Sequence, residues 1–281
     1  MRFVGVDLAW GEGSELRPPN ETGLCVIDAT GRILGAGWAR GIDAVTAWVL
    51  DACRDDTAAV AIDAPLVVPN ATGMRESEKQ VGRAYGRWKV SANASNQALG
   101  WLGGVTLRNR LEAVGFVVGS GMADPAHEAR VMFECYPYTT LVGVEELGYD
   151  TERPRYKRLD RALAPSDARA ARAAATDELV RRLSALDSAD PPLLLSSHPL
   201  TRELAETPSP LAGPAHKHRE DLIDAALCAW TASFWWRHGA SRVQILGEVP
   251  VPGEAQDPDG RPATIVAPAR ASQRLPRPLS R

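Results

Sequence analysis

Cysteine is scarce in this chain: four residues in 281, at Cys25, Cys53, Cys135 and Cys228, with no CxxC pair and no metal-finger spacing. Such spacing excludes a disulfide-stapled scaffold and a zinc finger, and reads as reduced thiols in a cytoplasmic protein. No unbroken apolar run of about 18 residues occurs, so no membrane-spanning helix is expected. The opening residues, RFVGV, already read as a strand, and no signal peptide is expected. Strong charge of either sign is also missing. A net charge of −3 speaks against a protein that coats nucleic acid non-specifically, while leaving room for a local basic groove. A Walker-type GxxxxGKS/T phosphate loop is absent, as is any internal repeat.

What remains is an ordinary globular composition, 44% hydrophobic and 24% charged, on a chain long enough for a full core. RFVGVDLAW, TGLCVID and ATGRILGAGWA read as three strands in a meander, with a turn at Gly31. GIDAVTAWVLDAC places Val45, Trp48, Val49 and Ala52 at helical spacing, with Asp43 as its N-cap. AAVAIDAP is a short buried strand stopped by Pro65. Residues 72–90 and 96–115 read as helices, ARVMFECYP as a buried strand closed by Pro137, and 138–186 as Ala- and Arg-rich helix interrupted at Pro154 and Pro165. A proline-rich connection follows, either a surface loop or one short strand in PLLLSS. HREDLIDAALCAWTASFWW is apolar on nearly every side and therefore a buried helix, with Asp221 in its first turn. RVQILGE and GRPATIVAP close the chain as a β-hairpin.

This order predicts an α/β fold: a mixed five-stranded sheet flanked by helices, as a single domain over 1–268. Its core spans about 1–64, 128–140 and 215–250, with helical insertions about 70–118 and 138–187 and an Arg/Pro-rich tail at 269–281.

Acids stand where the buried strands end. Asp7 closes the first strand, Asp63 the fourth and Glu134 the fifth. Adjacent parallel strands present their C-terminal ends at one sheet edge, where α/β proteins commonly bind ligands. Asp221 and Asp224 share one face of the last helix. If that helix begins at the same edge, up to five carboxylates converge. Like charges so close need protonation or a cation, and an all-oxygen set without Cys or His suits Mg²⁺ or Mn²⁺. Two such ions are what phosphodiester hydrolysis uses, one activating water and one stabilising the leaving oxygen. Each acid also has a plainer reading: a turn for Asp7, an Asx turn for Asp63, a partner arginine for Glu134, and the helix macrodipole for Asp221.

GVDLAW, IDAP, ECYPY, RYK and HREDLIDAALCAW together resemble the family called domain of unknown function 429. The resemblance covers residues 2 to about 268. It implies a ribonuclease H-like fold and a nuclease. It matches Asp7 to the metal-binding acid of the first strand in RuvC-type resolvases, and Asp221 and Asp224 to the acid pair of their last helix. The middle acid stays open, Asp63 matching by strand order and Glu134 by residue type. Resolvases of this kind often act as dimers, so a homodimer is the assembly to test.

Further candidates are substrate-binding groups. His216 and His218 precede the acid pair and suit proton transfer to a leaving oxygen, and Lys217 suits a phosphate. Lys157 within RYK is a candidate phosphate contact. Arg75 and Lys79, in a stretch with Arg83, Arg87, Tyr85 and Trp88, suit single-stranded nucleic acid, unless the aromatics belong to the core. The expectation is a metal-dependent nuclease acting on nucleic acid of unspecified type. Two alternatives are a binding module that keeps the fold without the chemistry, and an actin-like phosphotransferase. The last is disfavoured because DLAWGEG puts Ala9 and Trp10 where a small-residue phosphate loop is needed.

Overall fold

A computed structural model describes residues 1–11, 13, 18–54, 57–119, 129–249 and 257–276. β1 (Arg2–Asp7), β2 (Glu21–Asp28) and β3 (Ile33–Arg40) form the antiparallel meander that alternating apolar residues and the Gly31 turn require. α1 (Ile42–Cys53) leads to β4 (Ala58–Ile62), which pairs parallel to β1. α2 (Glu76–Tyr85), α3 (Gly103–Glu112) and the two-residue β5 (Val117–Val118) fill the first insertion. β6 (Arg130–Glu134) pairs parallel to β4 on one side and β5 on the other. α4 (Pro137–Gly143), α5 (Pro165–Ser184) and α6 (Pro199–Glu206) precede the long α7 (Gly213–His238), and β7 (Val243–Leu246) with β8 (Ile265–Pro268) make the closing hairpin.

The sheet is mixed and six-stranded, in the order β3-β2-β1-β4-β6-β5. The strand beyond the expected five is β5, too short to leave a period in the sequence. The helices are shorter than the expected 72–90, 96–115 and 138–186, the last being irregular between Gly148 and Ala164, and α7 starts earlier than expected, at Gly213. Gly41 rather than Asp43 occupies the N-cap of α1, and Asp43 lies in the first turn facing Arg110 at 3.4 Å. Pro165 opens α5 at its first turn, where a missing N–H costs nothing, instead of interrupting a helix. Of the two alternatives for PLLLSS, the loop is found, carrying a short 3-10 turn at Leu195–Ser197. Of the Arg/Pro-rich tail, Arg270 donates to the carbonyl of Val142 and pairs with Asp150, while residues 277–281 lie outside those described.

Two apolar layers flank the sheet. Val4 and Val6 of β1 pack with Val45 and Val49 of α1 and Leu107 and Leu111 of α3. Phe3 of β1, Ala59 and Ala61 of β4 and Phe133 of β6 pack with α7. α7 lies almost in contact with the backbone of the sheet, because Gly5 and Gly23 carry no side chain under it. A Cβ on Gly5 would fall 2.0 Å from the carbonyl oxygen of Ala225, and one on Gly23 would fall 2.2 Å from that of Asp221. Among the described residues no helix is long and apolar enough to cross a membrane.

Candidate active site

Strand pleat decides which acids meet. Side chains alternate between faces, so Asp7 shares the α7 face of β1 with Phe3 and Gly5. β4 runs in register beside β1, and the N–H of Asp63 continues the ladder by donating to the carbonyl of Val6 at 2.8 Å. Asp63 therefore has the parity of Ala59 and Ala61 and faces α7 as well. Across from Asp7 in the β1–β2 register lies Gly23, directly beneath the Asp221 backbone. On α7, Lys217, Asp221, Asp224 and Cys228 fall at i, i+4, i+7 and i+11, one stripe pointing at the sheet. Asp7, Asp63, Asp221 and Asp224 thus converge at the C-terminal edge of β1 and β4.

α7 starts at Gly213, eight residues before Asp221, which therefore sits two turns inside the helix. The macrodipole, which acts on the first turn, does not explain this acid. What holds it is a charge network. Lys217 Nζ lies 2.6 Å from Asp221 and 2.9 Å from Glu220. Asp224, fully buried, accepts a hydrogen bond from the Tyr156 hydroxyl at 2.5 Å, and its other oxygen faces Lys157 Nζ at 2.5 Å. Tyr156 and Lys157 come from the irregular stretch before α5, so the second insertion delivers the cation and the hydroxyl that satisfy α7.

The electrostatics record a shortage of positive charge. Burial, followed by the neighbouring Asp224 carboxylate, holds Asp7 well above the usual carboxylate range. Burial pushes Asp63 up to about 7, with Lys157 opposing. Burial also raises Asp221, opposed by Lys217 and by a hydrogen bond with Asp7. Burial disfavours the Lys157 ammonium, but Asp224, Asp7 and Asp63 outweigh it and hold Lys157 well above its ordinary value.

Glu134 lies apart. It follows Phe133 by one residue and so turns to the opposite face of β6. There Arg75 donates to both of its oxygens, at 2.8 and 2.6 Å, and the N–H of Leu66 donates at 3.1 Å. Arg75 is 2% exposed and also pairs with Glu78 at 2.8 Å. Lys79 faces Glu76 at 3.8 Å. Tyr85 and Trp88 are buried in the core, so α2 presents no stacking surface. His216 is buried with its ring nitrogens against the carbonyls of Pro210 and Tyr156. His218 is half-exposed, paired with Glu21 and packed on Trp38. Neither histidine is in contact with the four aspartates.

An open cavity of about 220 Å³ adjoins the acids, with Asp63, Lys157 and the Arg75–Glu134 and Glu78 charges in its wall beside Trp10, Tyr136, Tyr138 and Arg153. Behind the acids, the free thiols of Cys135 and Cys228 approach to 3.4 Å. Sequence reasoning did not single out Gly5, Gly23 or Tyr156 for this site. The small residues in GVD and TGL, on facing strands, are the sequence signal for the close helix.

The donor chemistry is that of a hard divalent cation: oxygen ligands only, with the four aspartates outnumbering the two lysines by two. Their placement is not closed around one point, for among the described residues no group of three acidic, histidine or cysteine side chains is set to hold an ion. Lys157 stands among the acids in that role. No curated protein and no solved structure matches the chain. The family model described as "Protein of unknown function (DUF429)" matches residues 5–249, most of the sequence, and the chain belongs to that family.

Proposed function

We propose that this protein is a metal-dependent nuclease on a ribonuclease H-like fold, hydrolysing phosphodiester bonds with Mg²⁺ or Mn²⁺ held by Asp7, Asp63 and Asp224. The observation that carries the reading is the convergence of four aspartates from β1, the end of β4 and α7 on one sheet edge with too few cations to balance them. The sheet order, an antiparallel meander continued by parallel strands, supports the fold assignment. When bound, a divalent cation supplies an activated water and charge stabilisation at the leaving oxygen. The chain's own residues do the rest. Asp221, tied to Lys217 and Asp7, positions the Asp7 carboxylate. Tyr156 orients Asp224 through its hydroxyl. Lys157, which pairs with Asp224 and lines the cavity, would be a positive group for phosphate oxygens there.

A second reading has one observation in its favour. Lys157 already neutralises Asp224, which suits a binding module with no metal at all. The two separate in a cleavage assay on labelled DNA and RNA, single- and double-stranded, as hybrid and as four-way junction, with Mg²⁺, Mn²⁺ or chelator. The nuclease reading expects cutting that requires metal and disappears in both Asp7→Asn and Asp224→Asn. Folded protein that cuts none of these substrates favours the binding module.

A further inference from the structure

A groove of about 880 Å³ runs along the irregular stretch before α5 and onto that helix. Seven lysine and arginine side chains line it against two acids, Glu152 and Asp160. This is a concentration of positive charge in a chain whose net charge is −3. Part of that charge is spoken for: Arg155 pairs with Asp160 at 2.8 Å and Lys89 pairs with Glu152. Arg158 and Arg161, both exposed, make neither ion pair nor hydrogen bond with a described residue. Arg172 spends one nitrogen on the carbonyl of Leu211 and keeps a buried Nε without a partner. Unpaired guanidinium groups in a groove are what a phosphate backbone recruits.

The groove leads to the acids. Its wall shares Arg153, Lys157 and Arg158 with the 220 Å³ cavity that holds Asp63. That cavity is smaller than the usual ~300–1,000 Å³ of small-molecule sites, and its wall carries aromatic rings. Trp10 is 53% exposed at its rim, and Tyr138 lies under the Arg153 guanidinium at 4.3 Å from the ring centroid. A space of that size suits a single base rather than a base pair. Rings can stack only on a base whose face is free, and a duplex hides those faces.

We propose that the substrate is a single-stranded nucleic acid, its backbone tracked by Arg158, Arg161 and Arg172 and one unpaired nucleotide seated against Trp10 beside Asp63. This deepens the nuclease reading and rests on it for the role of the acids, while strand binding itself needs no metal.

Fluorescence anisotropy in chelator tests it, with labelled single-stranded DNA, single-stranded RNA and a blunt duplex at two salt concentrations. The expected result is salt-dependent binding of a single strand, at least about tenfold tighter than of the duplex, the two single-strand arms showing which sugar is preferred. Arg158→Glu with Arg161→Glu, both exposed, should weaken strand binding at least about tenfold with thermal unfolding unchanged. Trp10→Ala should weaken it about fivefold, the lower end of what one stacked base contributes. Equal binding of duplex and single strand, or strand binding indifferent to the double charge reversal, would overturn the proposal. So would an inorganic polyphosphate chain that competes fully while Trp10→Ala changes nothing, since the groove would then read charge alone. Strand binding in chelator without metal-dependent cutting would remove the nuclease reading and keep the groove. Cutting that ignores the charge reversal would do the opposite.

Discussion

Replacing Lys157 by methionine removes the ammonium 2.5 Å from the fully buried Asp224 while keeping most of the aliphatic stem. Breaking one side of a buried ion pair costs about 3–5 kcal/mol. Two features moderate it here. Tyr156 still donates to the other Asp224 oxygen at 2.5 Å, and Lys157 itself is 20% exposed, so water reaches the vacated position. The expected loss at neutral pH is therefore about 3 kcal/mol, the low end of that range. For a chain of this size that lowers the melting temperature by about 6–12 °C. The loss should shrink at pH 5, because Lys157 opposes the upward shift of Asp7 and Asp63, and without it they take up protons more readily. Millimolar Mn²⁺ should return more stability to the variant than to the parent, since no side-chain ammonium then competes for Asp224. Differential scanning fluorimetry at pH 5 and 8, with and without Mn²⁺, reads all three effects. A variant as stable as the parent at both pH values would refute the claim that Lys157 neutralises buried charge.

Other consequences follow from the same geometry. Asp63 has a folded-state pKa of about 7 against an ordinary 3.8, so its contribution favours the fold below pH 4 and is lost as pH rises to about 7. In the metal-free protein the change approaches about 4 kcal/mol for this group, and Asp63→Asn should flatten that slope in urea titrations between pH 4.5 and 8. Gly5→Ala puts a methyl group 2.0 Å from the Ala225 carbonyl, which is backbone and cannot swing aside. A loss of at least about 3 kcal/mol is expected, and a urea midpoint equal to the parent's would show that α7 has room to move. Glu134→Gln removes charge from a pair with the buried Arg75 and should cost about 2 kcal/mol in the same measurement. It should weaken Mn²⁺ affinity far less than Asp7→Asn does, because the Glu134 carboxylate is held by Arg75 and acts on Asp63 only through its charge; an affinity loss comparable to that of Asp7→Asn would contradict that placement.

Much of this architecture is legible in the sequence because the signals are local. RFVGVD, TGLCVID and AAVAID carry their strands in composition, and the apolar run from Leu222 to Trp236 announces a buried helix. The helix start was displaced because its first turns, GPAHKHRE, are polar and resemble the proline-rich connection before them. Acids at strand ends marked the site, but not which of them meet. Glu134 and Asp63 look alike in sequence, each closing a short apolar strand. One residue of offset in the pleat sends Asp63 toward α7 and Glu134 toward Arg75. That offset is fixed by strand register, a non-local quantity. Arg75 resembles a surface cation in sequence because one of its two carboxylate partners, Glu134, lies 59 residues away. Lys157 reads as a phosphate contact in the sequence, yet its position against Asp224 depends on a stretch with no periodic structure to read.

In the proposed function the aspartate cluster binds a hard divalent cation beside Lys157, which neutralises Asp224 in the metal-free protein. Calorimetric titration of the metal-free protein with Mn²⁺ tests it most directly, beside Asp7→Asn, Asp224→Asn and Lys157→Met. Saturable binding that is lost in both aspartate variants and tightened in Lys157→Met is the predicted result. Absence of binding to folded parent protein at millimolar Mn²⁺, or binding indifferent to Asp7 and Asp224, would contradict it.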